Sequence, residues 1–549
     1  MIPIRYTERE FEQLCAEGKW GTPVDYVEQN ANKYPDKTAL IDSGGRLTFL
    51  DVKQKSDRLA IRLLEMGLKR DDRIVVQLPN VVEWVIVHTA LQKAGLIGLY
   101  VMQYFRHKEI EYSCKEIEAV GYLGVADFRG FNYFDMIREL RPKLPDLKHV
   151  FVVGDNVPDG AVSVNEMRDS PLGKEHPADF IAKSRVGWGQ IYQLRVTSGT
   201  TGMPKLVECA LTYPSLEDTL KQRYKVTPDD VFGAFAPLSG GPSGVHCRGF
   251  GISQRMGCTV AMLEKFDAAD AVDLIQRERI SFGTGVPTML AMISALPNLS
   301  DYDLSSLRVF EVAGASLPYS VAKEFEEKVG CKVINRLGGV DIGFGATSSV
   351  DDPPEVRWGS VGKPIPEITL KLLDEQGNDV PQGEVGEIAY AKTRGSDRSY
   401  YRDLEMTLER EAQGLARTGD LGKFDEHGNL YVVGRRKDVI IRGGQNIFPA
   451  EIESMLITHP AVFNVAVVSM PDRVMGEKAC AYVICKQGQI LTFDEMTSHL
   501  VKKKVAKYKL PERLQVVDSF PYSGDGQKVM KRTLSEDVTA KLKAEGVVF

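Results

Sequence analysis

The sequence lacks a cysteine pattern, a long apolar segment and an excess of basic charge. Its eight cysteines have irregular spacing, without a Cys-x-x-Cys pair, which predicts reduced, mostly buried thiols in a cytoplasmic protein. The most apolar window, residues 84–102, is interrupted by His88, Gln92 and Lys93, so we expect no membrane span. A formal net charge of −6 argues against nucleic-acid binding. Residues 1–10 contain no apolar run, and we expect no secretory signal.

The hydrophobic share of 43% and the charged share of 26% are typical of a soluble globular protein with a large core. Up to about residue 435, helical periodicity alternates with short apolar runs. Examples are a helix over 51–66, a strand over 74–78 and a helix over 84–93. This alternation predicts an α/β architecture with parallel sheets.

Two later regions differ in texture. Residues 358–390 resemble a small β-rich subdomain, with strand-like runs at 368–373 and 386–390. The region after the charged stretch 435–438 has helix candidates at 449–458 and 493–505, together with two or three strands, enough for a small α+β domain. We therefore predict a domain over residues 1–436 and another over 437–549.

Residues 197–205 read Thr-Ser-Gly-Thr-Thr-Gly-Met-Pro-Lys. Glycines let backbone N–H groups approach an anion, hydroxyls add donors, and Lys205 adds a positive charge. The stretch does not fit the Walker pattern. It predicts a phosphate-binding loop for a nucleoside triphosphate, and the alternative is a mobile surface turn.

Further motifs follow in order: Gly-Ala-Ser-Leu-Pro at 314–318, Leu-Gly-Gly-Val-Asp at 337–341, and Thr-Gly-Asp at 418–420. After them come the run 434–451, which begins with Gly-Arg-Arg-Lys-Asp, and Lys528 in a glycine-rich tail. This ordered set resembles the adenylate-forming superfamily, which includes acyl- and aryl-CoA synthetases, peptide-synthetase adenylation domains and luciferases. The resemblance covers essentially the whole chain and is strongest for an AMP-forming acid–CoA ligase.

The resemblance implies an α/β fold: a large N-terminal domain of two α/β sheet subdomains plus a small β subdomain, and a small mobile α+β C-terminal domain. It implies that ATP activates a carboxylate as an acyl-adenylate, after which coenzyme A forms the thioester. The implied partners are a small-molecule carboxylate, ATP, Mg²⁺ and coenzyme A, and a homodimer remains an open alternative to a monomer.

The resemblance also assigns residue roles. Lys528 is the adenylation lysine, Asp420 accepts the ribose hydroxyls, Arg435 is its partner, and 314–316 form a wall beside adenine. The ATP or AMP contacts are Thr197, Ser198, Gly199, Thr200, Thr201, Gly202, Lys205, Gly314, Ala315, Ser316, Leu337, Gly338, Val340, Asp420 and Arg435. The alternatives are a turn cap for Asp420 and solvated basic faces for Arg435 and Lys528.

The sequence departs from the family's usual Tyr-Gly-x-Thr-Glu at residues 337–341. Leu337 replaces the aromatic residue, Val340 replaces the threonine, and Asp341 is the shorter acid that we expect to act catalytically and to hold Mg²⁺. A rival alignment uses 344–348, but that stretch lacks the acid. Gln527 is an extra residue before Lys528. These departures make a non-catalytic relative the alternative from a different class.

By the same resemblance, Lys437 is the pivot about which the C-terminal domain rotates between two half-reactions. The loop that then lines the coenzyme A tunnel contains Arg442, Gly443, Gly444 and Asn446. The alternative for the glycine pair is an ordinary turn between a strand and a helix. The chain ends shortly after Lys528, which leads us to expect coenzyme A rather than a built-in carrier as acceptor.

Family analogy places the acyl pocket at Phe235, Leu238, Ser239, Gly240, Gly241 and Val286. Residues 233–244 contain no acid to pair an ammonium group, which argues against an amino-acid substrate. Small residues leave room for a bulky group between apolar walls. We expect an aromatic or alicyclic acid such as benzoate or cyclohexene or cyclohexane carboxylate. A medium-chain fatty acid, or transfer to a separate carrier protein, is the alternative.

Overall fold

The structure is a computed structural model that describes residues 13, 22–177, 179–187, 189–197, 203–210, 217–239, 251–340, 343–366, 368–391, 399–412, 415–522 and 529–549. Within these ranges the α-helices are α1 (Pro23–Lys33), α2 (Phe49–Glu65), α3 (Val82–Ala94), α4 (His107–Glu116), α5 (Tyr133–Leu140), α6 (Val164–Asp169), α7 (Phe180–Ser184), α8 (Glu217–Tyr224), α9 (Gly251–Met256), α10 (Ala268–Glu278), α11 (Pro287–Ser294), α12 (Tyr319–Val329), α13 (Pro354–Gly359), α14 (Leu404–Arg410), α15 (Pro449–Leu456), α16 (Phe493–Lys502) and α17 (Lys531–Ala544).

The strands of the same ranges are β1 (Thr38–Asp42), β2 (Gly45–Thr48), β3 (Arg73–Gln77), β4 (Ile97–Tyr100), β5 (Gly121–Val125), β6 (Asp127–Phe128), β7 (Phe131–Asn132), β8 (His149–Val153), β9 (Val162–Ser163), β10 (Ile191–Val196), β11 (Leu206–Ala210), β12 (Val231–Ala234), β13 (Thr259–Met262), β14 (Phe282–Gly285), β15 (Val309–Val312), β16 (Lys332–Gly339), β17 (Gly343–Thr347), β18 (Lys363–Pro364), β19 (Thr369–Leu373), β20 (Gly386–Ala391), β21 (Glu411–Ala412), β22 (Leu415–Phe424), β23 (Leu430–Arg435), β24 (Ile440–Arg442), β25 (Gln445–Ile447), β26 (Val462–Asp472), β27 (Gly476–Cys485) and β28 (Arg513–Val516).

Two large sheets of mainly parallel strands form the first part of the described chain. The first has the order β18-β17-β16-β15-β14-β12-β13-β1-β2, and its central strands β16 to β1 pair in parallel. The second has the order β11-β10-β4-β3-β5-β8-β9 and is parallel except for the β10–β11 hairpin. Strands β12 to β15 are almost entirely buried, as expected for parallel strands covered on both faces.

Two smaller sheets follow. Strands β19, β20, β22, β21 and β23 form an antiparallel sheet whose cross-strand partners include Asp420 and Arg435. Strands β25, β24, β27, β26 and β28 form the last sheet. A separate apolar core lies beneath it, built from residues such as Ile452, Val467 and Met496. The strands of one sheet therefore end at Arg435, and those of the next begin at Ile440.

The mixed α/β fold is confirmed. Helix α2 matches the predicted helix over 51–66 and begins two residues earlier than its periodicity suggests, because Thr48 and Asp51 form a capping box. The prediction for the last region was incomplete, since that region also contains α17 and five strands in its described part. Helix α17 buries only Leu534, Val538 and Leu542 among charged residues, which makes its apolar periodicity weak.

Two expectations from composition can be compared with the described residues. Of the six cysteines there, five are buried, one is partly exposed, and all have free thiols. Burial raises the pKa of the Cys114, Cys258 and Cys480 thiols to about 12. Among the helices of the described ranges, none combines the length and apolarity needed to cross a bilayer.

Candidate functional site

The carboxyl ends of neighbouring parallel strands bring four of the predicted site segments to one edge. Strands β12, β14, β15 and β16 are adjacent in that order in the first sheet. The segments at their ends are 235–239, Val286, 314–316 and 337–340. Ligands of open α/β sheets bind at this edge of the strands. The topology therefore groups the predicted acyl-pocket and adenine-side residues.

The predicted acyl-pocket residues that the structure describes are buried: Phe235, Leu238, Ser239 and Val286. The Phe235 ring stacks on Phe310, with centroids 5.9 Å apart and planes 10° apart. A Cβ at Gly233 would lie 2.5 Å from the Phe235 ring. The space that we attributed to Gly233 is thus filled by Phe235, and this glycine serves core packing. Gly240 and Gly241 lie outside the described residues.

The phosphate-loop motif joins two antiparallel strands, β10 and β11. At its neck the Thr197 N–H donates to the Lys205 carbonyl at 2.9 Å, and the Lys205 N–H donates to Thr197 Oγ1 at 3.2 Å. The exposed Lys205 ammonium lies 5.0 Å from the centre of the Tyr400 ring. Ser198, Gly199, Thr200, Thr201 and Gly202 lie outside the described residues.

The adenine-side segments follow β15 and end β16. Gly314 has a φ of 87°, a left-handed conformation that favours glycine, and Ala315 and Ser316 after it are exposed. Leu337 and Val340 are buried, at the end of β16 and just after it. Gly338 pairs with Phe344 across the hairpin. Asp341 lies outside the described residues.

The rival alignment at 344–348 falls on β17. Its threonine, Thr347, is 1% exposed, and its hydroxyl hydrogen-bonds to the Tyr224 hydroxyl. The Tyr224 hydroxyl also donates to Glu311, which forms a buried ion pair with Arg336 at 2.9 Å. Thr347 thus belongs to an internal polar network, and the alignment through residues 337–341 stays a prediction.

Asp420 and Arg435 face each other on adjacent strands, β22 and β23. Arg435 Nε lies 3.0 Å from Asp420 Oδ1, and the Asp420 side chain is 16% exposed. The Asp420 N–H donates to Thr418 Oγ1 at 3.0 Å, and Gly419 between them has a φ of 76°. A turn and a cross-strand ion pair together orient this carboxylate.

Glu387, which sequence reasoning missed, links this turn to the predicted pivot. It is 6% exposed, and its carboxylate accepts from the Gly419 N–H at 3.2 Å. The same carboxylate accepts from Arg417 Nη1 at 2.8 Å and from Arg436 Nη1 at 3.1 Å. The only sequence signal was a glutamate in an otherwise apolar strand, and its partners depend on strand register.

Lys437 lies in a short 3₁₀ turn, Arg436–Asp438, between the last two sheets. Desolvation by the surrounding chain lowers the pKa of the Lys437 ammonium, and the Arg435 charge acts in the same direction. The carboxylates of Asp438 and Asp420 oppose that shift. The predicted pivot is therefore close to the Asp420–Arg435 pair.

The glycine pair at 443–444 forms a two-residue hairpin loop between β24 and β25, closed by the pair Arg442 and Gln445. Their φ angles of 56° and 81° fit a type I′ turn, which needs two left-handed residues. The glycine pair is thus a turn between two strands and not between a strand and a helix, and its contact with coenzyme A stays a prediction. Arg442 Nη2 lies 2.7 Å from Glu512 Oε1, and Asn446 is exposed on β25.

Lys528 lies outside the described residues. The residues that flank its segment, Tyr522 and Val529, form an antiparallel bridge. The Met530 N–H donates to the Pro521 carbonyl at 2.7 Å. Backbone pairing therefore brings the two ends of the segment together.

Two family models match the chain. The family model described as AMP-binding enzyme matches residues 27–401, and the model described as AMP-binding enzyme C-terminal domain matches residues 451–527. The chain is 31% identical over 528 residues to 2,3-dihydroxybenzoate-AMP ligase of Bacillus subtilis strain 168, covering 95% of this chain and 94% of the relative. It is 28% identical over 555 residues to the medium-chain fatty-acid–CoA ligase of Escherichia coli strain K12, covering 98% and 95%.

The structure is also similar to the crystal structure of the anthranilate CoA ligase AuaEII in complex with anthranoyl-AMP. The TM-score is 0.85 at 26% identity, over 96% of this chain and 98% of the other. The long family match and the common architecture support one conclusion. The chain belongs to the AMP-binding enzymes, the family of ATP-dependent adenylate-forming ligases.

Proposed function

We propose that the chain is an AMP-forming carboxylic acid–CoA ligase. ATP and a carboxylate form acyl-adenylate and pyrophosphate, and the coenzyme A thiol then displaces AMP to form the thioester. The observation that carries the proposal is the Asp420–Arg435 pair, held by cross-strand register beside the pivot residue Lys437. Such a carboxylate is suited to accept both ribose hydroxyls.

In the first half-reaction the attacking carboxylate and the triphosphate are both anionic, so the site must neutralise charge and align the nucleophile. Lys205, exposed at the neck of the phosphate loop, would contact the β- and γ-phosphates. Lys528 would bridge the carboxylate and the α-phosphate as negative charge moves to pyrophosphate. Backbone pairing at Tyr522 and Val529 supports a defined approach of that lysine.

Mg²⁺ would supply further neutralisation of phosphate charge when bound. Among the described residues there is no group of three or more His, Cys, Asp or Glu side chains that could hold a metal ion. A magnesium site would therefore combine Asp341 with oxygens of the nucleotide itself, which suits a cation that usually keeps few protein ligands.

For the second half-reaction we propose rotation about Lys437, at the boundary between residues 1–436 and 437–549. The boundary is supported by the end of one sheet at Arg435 and the start of the next at Ile440. Rotation would bring the Arg442–Asn446 hairpin to the site in place of Lys528. The type I′ turn leaves its two glycines without side chains, so pantetheine could pass close to the backbone.

We propose an aromatic or alicyclic acid as substrate. The apolar side chains of Leu238 and Val286 at the parallel-strand edge support a ring-binding pocket. Two of the similar proteins act on aryl acids by name, as 2,3-dihydroxybenzoate-AMP ligase and anthranilate CoA ligase. The Escherichia coli relative, a medium-chain fatty-acid–CoA ligase, favours the alternative of a fatty acid.

A screen of pyrophosphate release tests the proposal. Benzoate, hydroxybenzoates, cyclohexane and cyclohexene carboxylates and fatty acids of increasing length are each supplied with ATP and Mg²⁺. Mass spectrometry then measures acyl-CoA after coenzyme A is added. We expect release with at least one cyclic acid and thioester formation without a carrier protein. Pyrophosphate release without any acyl-CoA would point to a separate carrier. No pyrophosphate release with any of the acids would overturn the proposed ligase activity.

A further inference from the structure

The segment 236–239 is held in place by side chains from the second sheet. Strand β3 of that sheet ends at Gln77, and the chain continues through Leu78 and Asn80 into α3, which begins at Val82. Segment 236–239 follows the carboxyl end of β12 in the first sheet. Both stretches thus leave parallel strands at their carboxyl ends, where the two sheets meet.

Asn80 makes a two-point contact with this segment. Its Nδ2 donates to the Ala236 carbonyl at 2.9 Å, and its Oδ1 accepts from the Leu238 N–H at 2.7 Å. Asn80 is 2% exposed, so both hydrogen bonds are shielded from water. An amide offers a donor and an acceptor on two separate atoms, so it can fix both the position and the direction of the backbone.

Trp84, in the first turn of α3, fixes the next residue. Its indole N–H donates to Ser239 Oγ at 2.9 Å, and that hydroxyl donates in turn to the Leu78 carbonyl at 3.1 Å. Trp84 and Ser239 are fully buried. The indole stacks on His88, with centroids 5.0 Å apart, so packing holds the donor in place.

We propose that Asn80 and Trp84 are positioning residues of the acid-binding pocket, and this inference rests on the proposed function. They contact neither nucleotide nor acid. They hold the backbone of 236–239 so that Leu238 presents a fixed wall to the acid. Loss of either contact weakens recognition of the acid more than recognition of ATP, because the adenine-side segments follow other strands of the first sheet and the Asp420–Arg435 pair lies on a different sheet.

The test compares Trp84→Phe, Ser239→Ala and the double variant. Phenylalanine keeps an aromatic ring against His88 but removes the N–H donor. We expect KM for the acid to rise about tenfold in each single variant, with KM for ATP within twofold of wild type. If the two residues act through one hydrogen bond, the double variant is no worse than the poorer single variant.

Tyr122→Phe is the matched control. Its hydroxyl donates a buried hydrogen bond to Gln77 Oε1 at 2.7 Å, within the second sheet and away from 236–239. We expect both KM values to remain at the wild-type level. Equal rises in the two KM values, an unchanged acid KM, or the same acid KM shift in the control would each overturn the proposal.

Hydrogen exchange of the ligand-free protein provides a second measurement. The backbone amides of Ala236, Leu238 and Ser239 should exchange at least several times faster in Trp84→Phe and Asn80→Ala than in wild type. Unchanged exchange overturns the positioning role even where the substitutions alter activity. If wild-type protein releases no pyrophosphate with any acid, the ligase proposal fails, and the exchange rates still decide whether these side chains hold the segment.

Discussion

The first parallel sheet and the antiparallel sheet that carries Asp420 bring the predicted site residues together in different ways. In the parallel sheet, adjacent strands end at one edge, and the segments that follow collect there although they are far apart in sequence. In the antiparallel sheet, Asp420 and Arg435 lie within strands and meet through register. In the first sheet, residues meet because they directly follow adjacent strands. In the antiparallel sheet, residues meet because they are paired across two strands.

The difference has an energetic side. The parallel strands β12 to β15 are buried, so their side chains mainly stabilise the core and their loops carry the site. In β22 and β23 most side chains are only partly buried, which leaves polar groups within the strands accessible to a ligand. Substitutions should therefore separate binding from stability more cleanly in the antiparallel sheet.

The largest expected effect comes from Lys528, the proposed adenylation lysine. Lys528→Ala should slow acid-dependent pyrophosphate exchange by about 1000-fold, because an ammonium aimed at developing charge is lost. The attack of coenzyme A on supplied acyl-adenylate should stay near wild type. Arg532→Ala, which removes an exposed charge paired with Glu536, is the control for nonspecific charge loss. Equal loss of both half-reactions would remove the adenylation role from Lys528.

A smaller effect is expected when the cross-strand pair is broken. Asp420→Asn should raise KM for ATP by about 30-fold, since a charge-assisted contact to the ribose hydroxyls becomes a neutral one. KM for the acid should change little. Asp379→Asn breaks an exposed pair with Lys371, in the same sheet and its adjoining loop, and should leave both values unchanged. A larger shift in acid KM than in ATP KM would contradict ribose binding by Asp420.

The pivot should show a smaller and more selective effect. Lys437→Pro fixes φ near −65° and should slow thioester formation about tenfold while changing adenylation less. Lys437→Ala removes the ammonium but keeps backbone rotation, so its effect on thioester formation should be smaller. Single-turnover measurements of each half-reaction give the two rates. Equal losses in the proline and alanine variants would indicate a role for the charge and not for rotation.

The smallest effect concerns stability and lies in the parallel-sheet region. Burial lowers the pKa of the His88 imidazole to about 3. The unfolded chain takes up this proton below about pH 6.5 and the folded chain does not, so stability falls as pH decreases from 6.5 towards 3. The contribution of His88 to this loss should be about 1 kcal/mol per pH unit below pH 6.

Thermal unfolding between pH 6.5 and 4.5 measures that slope. His88→Phe removes the titrating group and keeps a ring beside Trp84, so its unfolding should depend less on pH than that of wild type. His427→Gln, at an exposed histidine, is the control and should retain the wild-type slope. If the stability of His88→Phe depended on pH as strongly as that of wild type, His88 would not be taking up a proton on unfolding.

The same contrast explains how much could be predicted from the sequence. Buried parallel strands such as Val309–Val312 are visible as apolar runs, and glycine-rich motifs after them point to the site. Thr-Gly-Asp and the following arginine were found by family resemblance, but their pairing at 3.0 Å depends on register between β22 and β23. Register is set by the alignment of whole strands and is poorly encoded in a short motif.

Contacts between the two large sheets could not be predicted at all. Asn80 and Ala236 are separated by 156 residues, and their hydrogen bond exists only because both follow the carboxyl ends of strands. Glu387 was missed for a similar reason, since its three donors come from three positions in the folded chain. A polar residue in an apolar strand indicates from the sequence that a buried polar contact exists. It does not indicate which residue is the partner.

The neck of the phosphate loop has a thermodynamic consequence. The reciprocal hydrogen bonds of Thr197 and Lys205 join the ends of residues 198–204 when the β10–β11 hairpin forms. The conformational entropy of closing that loop is therefore lost during folding, and its loss does not weaken the binding of a nucleotide. For the proposed binding of a triphosphate by this loop, weakening the neck should therefore reduce affinity even where no phosphate contact is removed.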